Sequence, residues 1–431
     1  VSRNGASRRA NKRSRMSSSV RMVPPGQLSS PDPHQTDVLS SICQARTLST
    51  LSPVDKCEAE HTHGDLSPGS LQGSCRSRWH NDWRIHPPAA PNGDLLSTHL
   101  APTTSPISYD DGQRATELLA RLGRVFDQRI VGQQGLRTAL VTSLLAGGHV
   151  LLESVPGLAK TLSAQTLASA VSGSFHRIQC TPDLMPNDII GTQIYNYATG
   201  EFSTQLGPVH ANMVLLDEIN RSSAKTQSAM LEAMQEKQTS IGGEVYALPK
   251  PFMVLATQNP IEEEGTYVLP EAQMDRFLMK EVLTYPGPDE EVDILQRMAS
   301  GSLSAPITAE PITLTDTIFL QKLVDKVYVD TAIKQYIVAL INTTRGGGPR
   351  PLPGFNQHVR VGASPRGSIA LMRVGQALAL QAGRSYVVPD DIKALRHAVL
   401  RHRIVRTYDA LANNVSPESL VDAVFAAVPS P

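Results

Sequence analysis

With 431 residues the chain is long enough for two or three domains and a sizeable core. Forty Lys and Arg balance forty Asp and Glu, which argues against whole-chain binding to a phosphate backbone. No apolar run approaches the roughly 18 residues of a membrane span, and four scattered cysteines exclude a disulfide framework, so the composition reads as soluble and intracellular and no more; the location expected is cytoplasmic.

In chain order, residues 1–110 stand apart. They hold 12 Lys and Arg, 9 Asp and Glu, half of the histidines, three of the four cysteines and both tryptophans. Rich in Ser, Pro and His and poor in apolar periodicity, this segment is expected to be disordered. Arg3, Arg8, Arg9, Lys12, Arg13, Arg15 and Arg21 make its start basic, either a solvated tail or an arm for anionic partners. The chain opens on Val1 with Met16 and Met22 downstream, so an over-extended gene start is an equal reading. Cys43, Cys57, His61, His63, Cys75 and His80 could surround a zinc ion, but the cysteines, 14 and 18 residues apart, lack the tight C-x₂₋₄-C pairs of structural zinc.

From Asp111 the texture changes. Ala115, Leu118, Leu119, Leu122, Val125 and Phe126 recur at helical spacing, and Leu136, Leu140, Val141, Leu144 and Leu145 predict a second helix. Short apolar runs at 149–152, 175–180, 213–216, 252–257 and 281–284 predict five strands. Helical patterns between them, at 161–171, 223–236 and 271–279, make this a parallel α/β sheet with helices on both faces over 111–287. Beyond Pro288 helical patterns dominate, at about 289–300, 315–329, 331–344, 365–382 and 389–403, predicting a smaller all-helical domain over 288–431.

The chemistry begins after the first strand. Ser154-Val155-Pro156-Gly157-Leu158-Ala159-Lys160-Thr161, followed by Leu162, is a phosphate loop with Ser and Ala at its outer glycine positions. Its backbone N–H groups converge on phosphates at a helix N-terminus, Lys160 adds a positive charge, and Thr161 offers a hydroxyl to Mg²⁺. Alone, the degenerate loop is equally an ordinary strand–turn–helix. Met213-Val-Leu-Leu-Asp217-Glu218 adds an apolar strand that delivers two carboxylates to the sheet edge. Asp217 suits Mg²⁺ and Glu218 suits polarising a water. Asn259 ends a further strand and either touches the γ-phosphate and lytic water or is a turn residue before Pro260. Arg276 lies near the end of a helix, and Arg366 opens another against the helix dipole, which calls for a compensating anion: ATP phosphate or a nearby carboxylate.

This succession resembles the AAA+ ATPases and, within them, the MoxR family, from about Asp111 to Ala427. The marks are Ile130-Val-Gly-Gln133, the loop above, LLDEINR (215–221), AMQEKQ (233–238), ATQNP (256–260), LPEAQMDRFLM (269–279) and GASPR (362–366). The resemblance implies a P-loop core with a helical lid, Lys160 and Thr161 in Walker A, and Asp217 and Glu218 in Walker B. Asn259 becomes sensor 1, Arg276 the arginine finger and Arg366 sensor 2, with Ile130, Val131 and Gly132 at the adenine. Ser154 and Ala159 depart from the usual loop. Residues 191–206 and 238–252 look like two inserted hairpins that face a pore or client in this clade.

The resemblance further implies ATP and Mg²⁺ as cofactors, a homo-oligomeric, hexameric ring, and protein clients, including von Willebrand factor A domain partners. The alternatives are a non-hydrolytic ATP-binding switch and a nucleic-acid or chelatase motor of the same superfamily. Nucleic acid is disfavoured by a slightly acidic core, 28 basic against 31 acidic residues over 111–431.

Overall fold

A computed structural model describes residues 107–155, 157–259, 267, 269–303, 305–348, 350 and 352–431. The expectations for residues 1–106 (disorder, basic arm, zinc) and for Pro156 lie outside the described residues.

Helix α1 (Tyr109–Arg129) starts where Ser108 Oγ accepts the Asp111 N–H at 3.1 Å, with Asp110 and Asp111 in its first turn, favourable against the dipole. It buries Ala115, Leu118, Leu122, Val125 and Phe126 of the stripe predicted from spacing, with Leu119 half-buried at its edge. Then come α2 (Gln134–Leu145), β1 (Val150–Glu153), α3 (Lys160–Ala170), β2 (Phe175–Gln179) and α4 (Pro186–Ile190). The hairpin β3 (Gly191–Asn196) and β4 (Glu201–Leu206) leads to β5 (Met213–Asp217) and α5 (Ala224–Glu236). A second hairpin, β6 (Gln238–Ile241) and β7 (Glu244–Ala247), precedes β8 (Met253–Gln258), α6 (Glu271–Met274) and β9 (Met279–Val282). Both hairpins are antiparallel and fall within 191–206 and 238–252, where the resemblance implied them.

The five predicted strands form one parallel sheet in the order β2-β5-β8-β1-β9. Alternation along each strand splits the core. Val150, Leu152, Met213, Leu215, Met253 and Leu255 share a cluster with α1, α2 and α3. Leu151, Val214, Leu216, Val254 and Ala256 face Met230, Leu231 and Met234 of α5 on the other side. Covered on both faces, β5 and β8 read as unbroken apolar runs, whereas edge strand β2 carries exposed His176, Arg177 and Gln179.

After β9 come α7 (Pro288–Ala299), α8 (Leu314–Lys326), α9 (Thr331–Thr344), α10 (Phe355–His358), a ribbon strand β10 (Val359–Val361) and α11 (Pro365–Gln381). After these come α12 (Pro389–Ala394), α13 (Arg396–Leu400), β11 (Val405–Arg406), α14 (Tyr408–Ala412) and α15 (Pro417–Ala427). Strands β10 and β11 pair antiparallel, a feature that helical periodicity does not reveal. Helix α11 runs through the lid's apolar centre with Ala370, Leu371, Val374 and Ala377 buried. A Cβ at its Gly375 would lie 2.7 Å from Ile392 Cδ1, so this glycine sets the approach of α12.

Three predicted boundaries shift. The helix expected over 271–279 ends at Met274, because the Leu278 N–H joins the sheet by donating to the His149 carbonyl at 2.8 Å. For the same reason the fifth strand lies at Met279–Val282 rather than 281–284. The helix expected over 389–403 breaks at Leu395, whose φ −112° and ψ 25° leave the helical region. Among the described residues no helix is long and apolar enough to cross a membrane.

His149 tests how rigidly β1 is anchored. Its Nδ1 accepts the Val254 N–H at 3.0 Å and its Nε2 donates to the Met234 carbonyl at 3.2 Å, tying the sheet to α5. Burial lowers its pKa from 6.5 to about 4. The unfolded chain therefore binds a proton that the folded chain refuses over this window. Stability from neutral His149 is complete above pH 6.5 and declines as the pH falls, by roughly 3 kcal/mol at pH 4. His402, lowered by burial and then by Arg403, acts in the same direction. The thermal midpoint is expected to drop from pH 6.5 to 4, and His149→Gln to flatten that drop; an unchanged slope would mean the imidazole is not buried neutral.

Candidate active site

The carboxyl ends of β1, β5 and β8 lie side by side, and each ends in the polar residues singled out above. In an open parallel sheet this edge is where a crevice takes ligands. The loop after β1 enters α3 through Gly157, φ +88°, and Ala159, φ 52° and ψ 25°. No side chain caps α3, so the first N–H groups of the helix are left for an anion.

The two departures from the usual loop differ in consequence. Ala159 adopts the left-handed region, which costs an L-residue about 1–2 kcal/mol. Ser154 does not, so serine replaces glycine there without backbone strain. Its buried Oγ has no hydrogen-bond partner among the described residues, and its N–H donates to the Gln258 carbonyl at 3.2 Å.

Lys160, Thr161, Asp217, Glu218 and Asn259 line one cavity of about 290 Å³ with the loop residues Gly157, Leu158, Ala159 and Leu162. Asp217 Oδ1 accepts the Thr257 hydroxyl at 2.7 Å, and its Oδ2 receives Arg177 Nη2 at 2.6 Å and Nε at 3.1 Å. Glu218 is itself left-handed, φ 59° and ψ 52°; its N–H donates to Thr257 Oγ1 at 2.8 Å. Gln179 Nε2 donates to Glu218 Oε2 at 2.9 Å and Arg221 Nε lies 3.3 Å from the same oxygen. Thr257 thus fixes both acidic positions, while Arg177 and Gln179 reach them from edge strand β2.

Arg177, Gln179 and Thr257 were missed by sequence reasoning. The signal was the run of polar residues in β2, which reads locally as solvent exposure. Arg177 covers the carboxylate suited to Mg²⁺, but its side chain is 48% exposed, so the pair is weak. Arg177→Gln is expected to lower the Mg²⁺ concentration for half-maximal nucleotide turnover by about two- to fivefold. A rise in that concentration would show that Arg177 assists the metal site instead.

A second cavity, about 430 Å³ and mainly apolar, adjoins the first through the shared residues Gly157, Leu158, Ala159 and Leu162. Ile130 and Val131 line it from one side, Tyr285, Pro286, Ile294 and Leu295 from the other. Gly132 and Val155 line neither cavity. Gly132 adopts φ +62°, a left-handed conformation that favours glycine.

Arg276 and Arg366 are brought together, but away from the phosphate loop. They share a third cavity of about 440 Å³ with Lys237, Asp275, Arg373 and Arg403, between the sheet domain and α11. Arg366 Nη1 lies 3.8 Å from Asp275 Oδ2, so the carboxylate alternative for this arginine is present within the chain. Arg276 Nε is buried without a hydrogen-bond partner among the described residues. Cys180 is buried and its thiol is pushed up to about 12, chiefly by desolvation, which makes it a packing residue rather than a nucleophile.

The described residues contain no cluster of three or more His, Cys, Asp or Glu that could hold a metal. One carboxylate and one hydroxyl, Asp217 and Thr161, fit Mg²⁺ that arrives with nucleotide phosphates and keeps several waters.

A phosphate loop after β1, an acidic pair after β5, a polar residue after β8 and a helical lid define the class of AAA+ ATPases. Residues 149–279 match the family model for the ATPase family associated with various cellular activities (AAA), and residues 355–424 match that for the AAA lid domain. Chaperone MoxR1 of Mycobacterium tuberculosis is 48% identical over 302 residues, covering 70% of this chain and 79% of that protein. The uncharacterized protein YeaC of Bacillus subtilis is 46% identical over 318 residues, 73% of this chain and 95% of that one. Protein MoxR of Methylorubrum extorquens is 30% identical over 333 residues, 72% and 95% of the two chains. A crystal structure of a Cytophaga hutchinsonii protein assigned as an ATPase is similar with a TM-score of 0.68 and 41% identity, covering 75% of this chain and 96% of that one. The chain belongs to the MoxR family of AAA+ ATPases.

Proposed function

We propose that this protein hydrolyses ATP with Mg²⁺ in a homo-oligomeric ring, hexameric as in its superfamily, and uses the cycle to remodel protein clients in the cytoplasm. The observation that carries the hydrolytic reading is the single cavity shared by Lys160, Thr161, Asp217, Glu218 and Asn259, continuous with an apolar pocket sized for a base. The base rests against Ile130, Val131, Tyr285 and Pro286. The α3 N–H groups and Lys160 hold the phosphates, while Thr161 and Asp217 hold Mg²⁺, which neutralises phosphate charge when bound. Glu218 accepts a proton from the attacking water, and Asn259 orients that water.

The ring reading rests on the placement of Arg276 and Arg366 outside their own phosphate cavity. Both arginines are then available to a neighbour's γ-phosphate, so the site is complete only between subunits. We place the domain boundary at Pro288, with residues 111–287 as the nucleotide-binding domain, 288–431 as the lid and 1–110 as an extension. The client side is the β3–β4 hairpin, where Tyr195, Tyr197 and Phe202 stack with ring centroids 5.1 Å apart while Tyr197 stays 92% and Phe202 68% exposed. Such a patch suits apolar segments of a partner, in keeping with the chaperone name of the mycobacterial relative. Von Willebrand factor A domain proteins are the partners that the family suggests.

Mg²⁺-dependent ATP turnover of the full chain, measured against protein concentration, tests the reading. Specific activity is expected to rise with concentration and to follow the ring population in light scattering. Constant specific activity in a monomer would overturn the shared site.

A further inference from the structure

The third cavity contains a feature that the nucleotide site does not use. Arg403, in the turn that follows α13 of the lid, has a side chain only 2% exposed, an unusual place for a guanidinium. Its donors are directed at the short turn that carries Arg276. Nε donates to Asp275 Oδ1 at 2.9 Å, Nη2 to the Phe277 carbonyl at 2.6 Å and the Asp275 carbonyl at 3.4 Å, and Nη1 to the Leu278 carbonyl at 3.0 Å. Nη1 also donates to the Val399 carbonyl within the lid. The backbone is therefore gripped on both sides of residue 276. The Arg276 side chain itself has its Nε unengaged among the described residues.

Asp275 completes the arrangement. Its Oδ1 takes Arg403, and its Oδ2 accepts the Ser364 hydroxyl at 2.6 Å and lies 3.8 Å from Arg366. Ser364 is the N-cap of α11, so one buried ion pair references both the turn of Arg276 and the start of the helix that carries Arg366. Burial lowers the Arg403 pKa to about 10 while Asp275 opposes that shift, so the guanidinium stays charged at neutral pH.

We propose that Arg403 is a positioning residue: with Asp275 it fixes the turn of Arg276 to the lid, so that lid movement sets where both arginines stand toward a neighbouring subunit. This rests on Arg276 acting on the neighbour's nucleotide, as proposed above. A lysine cannot replace the planar fork, because its single ammonium has no fixed geometry with which to serve the carboxylate and the four carbonyls together.

The test uses mixed rings. Subunits with Glu218→Gln cannot hydrolyse but still donate their arginines; subunits with Arg276→Ala cannot donate but retain a working cradle. Mixing the two is expected to restore ATP turnover at the mixed interfaces, with co-purification of differently tagged subunits confirming joint assembly. Arg403→Lys is then added to one side at a time. In the Glu218→Gln donor it is expected to cut the restored turnover by about tenfold or more, the scale of loss when a catalytic group is misplaced by an ångström or less. In the Arg276→Ala acceptor it should leave turnover close to that of the parent mixture. Asp275→Asn, which loosens the same pair from the other side, should show the same asymmetry. Equal losses on both sides, or no loss on the donor side, overturn the positioning role and leave the shared site intact. No restoration in the parent mixture overturns the shared site, and the positioning role with it.

Discussion

Replacing Arg276 by alanine is expected to lower ATP turnover by about 10³–10⁵-fold, the contribution of an arginine supplied to a phosphoryl-transfer site. Its affinity for ATP should remain near that of the parent protein. The reason is geometric. Arg276 does not line the cavity of Lys160, Thr161 and Asp217, so its loss removes nothing that holds nucleotide in its own subunit. A charge that meets the phosphate only across an interface acts on the developing transition state more than on bound ATP. Fluorescent-nucleotide titration beside steady-state turnover separates the two effects. If affinity and turnover fell together by the same factor, Arg276 would be a ligand of its own subunit's nucleotide, and the subunit-shared site would be wrong.

Glu218→Gln is expected to cost about 10²–10⁴-fold in turnover, the range for loss of a positioned general base. The amide is isosteric and can keep one partner in Gln179 or Arg221, but it cannot take a proton from water. Nucleotide should stay bound or bind more tightly, because one negative charge beside the phosphates is gone. Acid quenching after a single loading is the decisive readout: bound nucleotide should be recovered as ATP from the variant and as ADP from the parent. Turnover that persists within a few-fold would remove Glu218 from the reaction. The left-handed backbone of Glu218 is consistent with a functional role, since such strain persists only where surrounding structure enforces it. Here the Thr257 hydroxyl accepts its N–H and donates to Asp217 beside it.

Hydrolysis and positioning meet at the lid. The base-sized cavity is closed on one side by Tyr285, Pro286 and α7 residues Ile294 and Leu295, while the arginine cavity is closed by α11. In the cycle proposed above, a change in lid angle would alter both nucleotide retention in one subunit and arginine presentation to the next. The exposed β3–β4 aromatics belong to the same sheet domain that carries the acidic pair.

Much of this architecture was determined by local sequence. An apolar run that ends in Asp217-Glu218 or in Gln258-Asn259 specifies a buried strand whose polar residues emerge at its carboxyl end, because strand burial and termination depend on a few adjacent residues. Gly157 and Lys160-Thr161 likewise mark a turn into a helix N-terminus, a short-range event. Tertiary structure alone decided the rest. Arg177 and Gln179 reach the acidic pair because β2 pairs with β5, about forty residues away in the chain, and nothing in their own neighbourhood distinguishes them from solvated edge residues. The helix expected over 271–279 stops after Met274 because Leu278 joins the sheet through the His149 carbonyl, and the turn that follows is held by Arg403, 128 residues beyond Asp275, which lines one cavity with Arg276 and Arg366. Backbone periodicity is written by neighbours in sequence, whereas a buried charge is placed by whichever distant groups can satisfy it once the sheet and lid have packed.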